Sequence, residues 1–276
     1  MKRFDSIRPY TDSEVQSVLQ QLSTNSDVVK AFISATKFGF LTKIPFSAWI
    51  ASKILQTKIK NIHTINDYQS IFENLVSNMI DTKTSGFTCN GFQNIKPNMS
   101  YLYMSNHRDI TVDPALLNYM LHQNNFKTTN IAVGNNLMSE AWASDLMRLN
   151  KSFIIDRTGK SKREIYQGLN LASEYIEDSI LEKNEPIWIA QKQGRAKDGI
   201  DRTDPALLKM IHLINRKSIP ISDYFNSLCF IPVSVSYEFD PNDLFKANEL
   251  YAIKMHQKYI KTDKEFTIPA GTPLQQ

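Results

Sequence analysis

The run Asn106-His107-Arg108-Asp109, followed by Asp113-Pro114, sets one imidazole and two carboxylates within a few residues of each other. A neutral imidazole held in one tautomer by a carboxylate takes a proton from an alcohol. Acyl transfer to a hydroxyl needs that step. The apolar run 101–104 reads as a buried strand that delivers His107 to its end. Asp113 comes six positions after His107, at a helix start. Asp113-Pro114 and Asp204-Pro205 both precede Ala-Leu-Leu, so each reads as Asp at an N-cap and Pro at the first helical position. Backbone N–H groups and the helix dipole favour an anion there. Asp113 therefore has two compatible readings, partner of His107 and helix cap. Asp109 is the rival partner, close enough in sequence that only a turn would bring it to the ring.

Three further stretches carry chemistry. In NKSFIIDRTGKSKRE (150–164) an apolar strand ends in Asp156-Arg157, and Arg157 suits bidentate contact with a phosphate as well as a solvated basic turn. In PIWIAQKQGRAKDG (186–199) a strand delivers Gln193-Gly194-Arg195; the glycine permits close backbone approach and Arg195 and Lys197 add positive charge. In LCFIPVSVSYE (228–238) Pro232 lies inside a strand pattern. Proline is confined to edges, starts or bulges, so Pro232 marks either an irregular pocket wall or a plain edge.

Strands and helices alternate after residue 80. Strands are expected at 101–104, 130–133, 152–155, 186–190 and 229–236. Helices are expected near 114–122, 137–149, 160–182, 204–216 and 241–260. That order predicts an α/β fold, with a mixed, largely parallel sheet flanked by helices. Residues 11–80 read as helical, opening with capping residues at 11–14. The chain thus divides into an N-terminal helical region, 1–80, and an α/β domain, 81–276. The tail TIPAGTPLQQ carries no element.

Within the helical region, 28–55 holds aromatic residues (Phe32, Phe38, Phe40, Phe46, Trp49) interrupted by Lys30, Lys37, Lys43, Pro45 and Lys53. It falls short of the uncharged run of about 18 residues that a spanning helix needs. It fits a helix pair lying in a membrane interface, and equally a hairpin packed on the domain.

The 276 residues are 42% hydrophobic and 22% charged, a globular composition. A net charge of +4 and a pI near 8.8 are too weakly basic to argue for nucleic acid, and suit an anionic membrane surface or a phosphate-bearing substrate. Cys89 and Cys229 form neither a disulfide framework nor a metal pattern. A reducing, cytoplasmic side is expected, with no secretory signal at the N-terminus. His63, His122, His212 and His256 lack paired ligand spacing, so no metal is expected. Dinucleotide and P-loop glycine patterns are absent. His-Arg-Asp occurs in protein kinase catalytic loops, but the Asn required five positions later is Pro114 here.

In order and spacing, the four stretches resemble the glycerolipid acyltransferases, the family of glycerol-3-phosphate and 1-acylglycerol-3-phosphate acyltransferases. The likeness falls on His107 with Asp113, Phe153-Ile154 with Arg157, Gln193-Gly194-Arg195, and Ile231-Pro232, and spans roughly 85–240. Two departures stand out. Five residues rather than four separate His107 from Asp113, and Gln193 replaces the family's Glu with Arg195 directly after Gly194. The resemblance implies an enzyme that moves a fatty acyl group from acyl-CoA or acyl carrier protein to a hydroxyl of a glycerophosphate or lysophospholipid. His107 would be the base, steadied by Asp113 or Asp109. Arg157, Gln193, Gly194, Arg195 and Pro232 would serve the substrate. No cofactor beyond the acyl thioester is implied, and the place of work would be the cytoplasmic face of a membrane, peripherally bound. An amino-acid lipid as acceptor, or a catalytically silent lipid- or acyl-CoA-binding relative, are the alternative readings.

Overall fold

The computed structural model describes residues 3–35, 47–137, 140–256 and 258. Phe38, Phe40, Phe46, Lys37, Lys43, Pro45 and the C-terminal tail lie outside them. The chain divides into two compact units, 1–75 with 133–158, and 76–132 with 159–276.

The first unit opens with α1 (Asp12–Thr24), α2 (Ser26–Ala35), α3 (Ser47–Ile59) and the first half of α4 (Ile65–Lys83). The expected capping box at Thr11 is present. Glu14 Oε2 accepts from the Thr11 backbone N–H at 2.8 Å, and Arg8 grips the same carboxylate with Nη1 2.7 Å from Oε2. One core joins Val15, Val18, Leu19, Leu22, Ile59, Ile62 and Tyr68 to Leu149, with Trp142 and Leu146 against it. Leu149 explains why the division differs from a single break near residue 80: α6 (Ala141–Leu149) lends its apolar face to the N-terminal helices. Ile154 of the strand after α6 donates its N–H to the Ile7 carbonyl at 2.9 Å. Helices α2 and α3 also pack, through Val29, Ile33 and Ala51.

Five strands, β1 (Leu102–Ser105), β2 (Asn130–Gly134), β3 (Ser152–Ile155), β4 (Ile187–Ala190) and β5 (Phe230–Val233), form one sheet in the order β3-β2-β4-β1-β5. The described pairings, β1 with β4, β1 with β5 and β2 with β4, are all parallel, so the expectation of a mixed sheet resolves toward parallel. Every residue of β1 is buried, as a strand covered on both faces requires. Between and after the strands come α5 (Val112–Gln123), α7 (Lys162–Glu177), α8 (Pro205–Ile211), α9 (Ile221–Ser227) and α10 (Asp243–Lys254).

Two local expectations are corrected. Asp204 is an N-cap as expected, its carboxylate accepting from Ala206 N–H at 2.8 Å. Asp113 is not. Helix α5 begins two residues earlier, with Thr111 at the N-cap. The Asp109 carboxylate takes the Thr111 and Val112 N–H groups, both at 2.9 Å, and so starts the helix ahead of the proline. Pro114 still falls within the first turn, where its missing N–H costs nothing. Secondly, β5 ends at Val233 rather than 236, and α9 had no expected counterpart.

Arg8, as its hydrogen-bond partner, holds the Glu14 carboxyl down at about 2. A depressed carboxyl contributes stability above its unfolded value near 4.5, and that contribution disappears as pH falls toward 2. Glu14→Gln is expected to lower stability by about 1 kcal/mol at neutral pH. In urea denaturation the gap from the unsubstituted protein should close as pH approaches 2.

Candidate active site

The parallel register sets the position of the site. Ser105 pairs with Ala190 on one side and with Val233 on the other, so β4, β1 and β5 end level with one another. Loops that leave the carboxyl ends of neighbouring parallel strands converge, and ligands bind there. Asn106 and His107 leave β1, Gln191 to Asp204 leave β4, and Ser234 to Tyr237 leave β5. All belong to the second unit.

His107 is 8% exposed and Asp113 is fully buried. His107 Nδ1 lies 3.1 Å from Asp113 Oδ2. The same oxygen accepts the backbone N–H groups of Arg108 at 2.7 Å and Asp109 at 2.9 Å. The chain after β1 therefore wraps around one carboxylate oxygen. The rings of His107 and of Trp188 on β4 meet at 68°, their centres 6.0 Å apart. Trp188 Nε1 donates to Ser105 Oγ at 3.0 Å, fixing the indole. Among the described residues, no hydrogen bond engages His107 Nε2.

Asp109 does not reach the ring. Its Oδ1 caps α5 and its Oδ2 accepts from Asn242 Nδ2 at 3.3 Å. The extra residue between His107 and Asp113 is absorbed by the turn that Asp109 stabilises.

Asn106 continues the sheet with its side chain. Its Oδ1 accepts the Val235 N–H at 2.8 Å and its Nδ2 donates to the Val235 carbonyl at 2.8 Å. That amide takes over from the β1–β5 ladder and carries the segment after β5 to Tyr237. Burial alternates along 231–238, with Ile231, Val233, Val235 and Tyr237 on the more buried side. The Tyr237 hydroxyl donates to Asp113 Oδ1 at 2.8 Å. Burial first, and then the Asp113 charge, push the phenol well above its ordinary range, so it remains a donor.

Arg108 points its guanidinium away from the dyad, to Asp201 at 2.6 Å and Asp240 at 3.4 Å. Lys246 on α10 donates to the Arg108 carbonyl at 2.8 Å and pairs with Asp240. Lys197 pairs with Glu249 at 2.6 Å. These groups border a cleft of about 380 Å³, lined by Arg108, Lys197, Ser236, Tyr237, Asp240 and Lys246 among others.

The loop after β4 is tied to the site at its middle and its base. Ala196 N–H donates to the His107 carbonyl at 2.7 Å, and Asp204 N–H to the Gln191 carbonyl at 2.9 Å. Gln193 and Gly194 are exposed. A Cβ at Gly194 would meet no protein atom within 4 Å, and what the protein itself requires of the position is its φ of +75°. Arg195 is half-buried and pairs with no carboxylate among the described residues. Pro232 is exposed on β5, the edge strand, opposite Met104, and does not line the cleft. Arg157 follows β3 in the first unit, beside Asp156, whose carboxylate accepts from Asn135 Nδ2 at 2.6 Å and Thr158 N–H at 2.9 Å.

The sequence reading missed Tyr237, Lys246, Asp201 and Asp240. For Tyr237 a signal was present, since the period of two from Ile231 runs through it. For the charged three there was none, because each meets the site only through long-range folding. Among the described residues, no group of three or more His, Cys, Asp or Glu could hold a metal ion.

Residues 86–199 match the family model described as Acyltransferase. The match covers β1 with His107 just beyond it, Asp113, and the loop after β4 as far as Gly199, Arg195 included. It takes in the first three stretches of the sequence resemblance and ends before Ile231-Pro232. Over that stretch the chain is similar to the acyltransferases. The solved structure of the 1-acyl-sn-glycerophosphate (LPA) acyltransferase PlsC from Thermotoga maritima is similar at 12% identity and a TM-score of 0.36. It covers 89% of this chain and 100% of its own, a likeness too loose to bear on the site. No curated protein sequence matches significantly.

Because Asn106 satisfies both backbone groups of Val235, Asn106→Ala is expected to cost about 1–3 kcal/mol. Urea denaturation measures it.

Proposed function

We propose that the protein moves a fatty acyl group from acyl-CoA or acyl carrier protein to a hydroxyl of a glycerophosphate or lysophospholipid, with His107 as general base. The observation that carries this reading is the His107 Nδ1 contact with the buried Asp113 at 3.1 Å. It holds the proton on Nδ1 and leaves Nε2 to receive the proton of the acceptor hydroxyl. The acceptor oxygen then attacks the thioester carbonyl. The tetrahedral adduct collapses with loss of the thiolate, which takes the proton back from His107. A thiolate leaves readily, so the transfer needs no acyl-enzyme intermediate.

Arg195 sits one residue before Ala196, whose N–H is bonded to the His107 carbonyl. A half-buried guanidinium without a carboxylate suits the acceptor's phosphate. For the membrane, the support is α3, where Trp49, Ile50 and Ile54 are 64%, 52% and 45% exposed and Lys53 lies among them. Apolar side chains flanked by lysine fit an interfacial helix on an anionic leaflet. Among the described residues, no helix is long and apolar enough to cross a membrane. We place the enzyme peripherally on the cytoplasmic face.

Release of free CoA from palmitoyl-CoA, with glycerol 3-phosphate or lysophosphatidic acid as acceptor, tests the chemistry. His107→Ala is expected to lose about 10³-fold or more in kcat, and Asp113→Asn at least 10-fold. Asp109→Asn keeps an acceptor oxygen for the α5 cap and should remain within a few fold. Activity that survives His107→Ala rules out the base. Absence of turnover with every donor would favour a lipid-binding relative.

Flotation with phosphatidylglycerol-containing liposomes tests the membrane contact. Replacing Trp49, Ile50 and Ile54 together by serine should leave the protein at the bottom of the gradient. Unchanged flotation counts against α3.

A further inference from the structure

We propose that Tyr237 is a positioning residue for the base: its hydroxyl, bonded to Asp113 Oδ1, sets how strongly Asp113 holds His107. The inference rests on the reading of His107 as the base. The two oxygens of Asp113 are used unequally. Oδ2 faces three N–H groups, those of the His107 ring, Arg108 and Asp109, at 2.7–3.1 Å. Oδ1 meets the Tyr237 hydroxyl at 2.8 Å. The carboxylate is fully buried, so bulk solvent does not compete with these donors. A hydrogen bond to a buried charged group is among the strongest that neutral side chains make.

The phenol is suited to the task. It stays protonated, because burial and the neighbouring Asp113, Asp109 and Asp240 all oppose a phenolate. Its donated bond draws negative charge away from the carboxylate. That limits how tightly Asp113 grips an imidazolium, and a base must release its proton to the leaving thiolate. Tyr237 is also anchored independently of the dyad, since Asn106 pins Val235 two residues earlier. Tyr237 lines the cleft as well, next to Ser236, Arg108 and Lys246. A single phenol thereby links the wall of the cleft to the orientation of the base.

The test reads His107 directly. Imidazole nitrogen NMR on the full chain, with ¹⁵N-labelled histidine, gives its tautomer and titration curve without need of a substrate. His107→Ala removes one set of imidazole signals and so assigns them. In Tyr237→Phe, Asp113 loses one donor and attracts the imidazolium more strongly, so the His107 titration should move to higher pH. Site-specific 3-fluorotyrosine at Tyr237 donates a stronger bond in the same shape, and should move the titration to lower pH. That second substitution carries the test if the phenylalanine variant does not fold. A role confined to stability predicts no such opposed pair, and a His107 titration unmoved by both overturns the proposal.

Kinetics supply the second readout, with palmitoyl-CoA and lysophosphatidic acid. Tyr237→Phe should lower kcat about 10- to 100-fold with the donor KM unchanged. On an Asp113→Asn background it should add little further loss. If His107→Ala abolishes turnover while Tyr237→Phe leaves kcat and its pH profile intact, the base stands and the proposal fails. If His107→Ala retains turnover, it is the base assignment that fails.

Discussion

One carboxylate shut off from bulk solvent organises the end of the sheet. Asp113 sits in the first turn of α5 and receives an imidazole, two backbone amides and a phenol. A buried carboxylate is costly unless every lone pair is engaged. Here each of its donors comes from a segment that the site must hold still. The amides fix the turn after β1, the imidazole is the proposed base, and the phenol brings in the segment after β5. Satisfying the charge and assembling the site are one event.

The supports around it are graded by chemistry. Close in, the bonds are to backbone and to neutral side chains, which hold direction well. Further out, Arg108, Asp201, Asp240 and Lys246 form a network of opposite charges. Three of these lie far apart in sequence from the histidine, and they knit the loops after β4 and β5 and the start of α10 to the Arg108 backbone. The alternating signs leave the rim of the cleft without a single dominant charge. Arg195, by contrast, lacks a carboxylate among the described residues.

Much of this was legible in the chain. The five strands could be placed because short apolar runs in a parallel sheet are bounded sharply by polar residues, as at Ser105-Asn106 and Ala190-Gln191. His107 and Asp113 were legible because strand end and helix start lie close together in sequence. The cap was misplaced because Asp-Pro is so strong a helix opening that it hides a second solution, in which Asp109 takes the first donors and releases Asp113 for the ring. The end of β5 was misjudged because the alternation continues to Tyr237 while the ladder does not. Only the fold reveals that an asparagine amide stands in for the missing strand. Leu149 shows the same limit at larger scale: nothing local tells that its helix belongs with a core built more than 80 residues earlier.

The loop from Gln191 to Asp204 has a final consequence. It is closed at its base by one backbone bond and fastened near its middle by Ala196 to the carbonyl of His107. The stretch between those two ties, 197–203, is bound to the site as well, through Asp201 to Arg108 and Asn106 and through Lys197 to Glu249. A change of length there would displace the ion pairs at the rim of the cleft. An insertion between Gln191 and Ala196 would instead shift the fastening point itself. Both halves of the loop thus limit how far the cleft can be reshaped without disturbing the histidine.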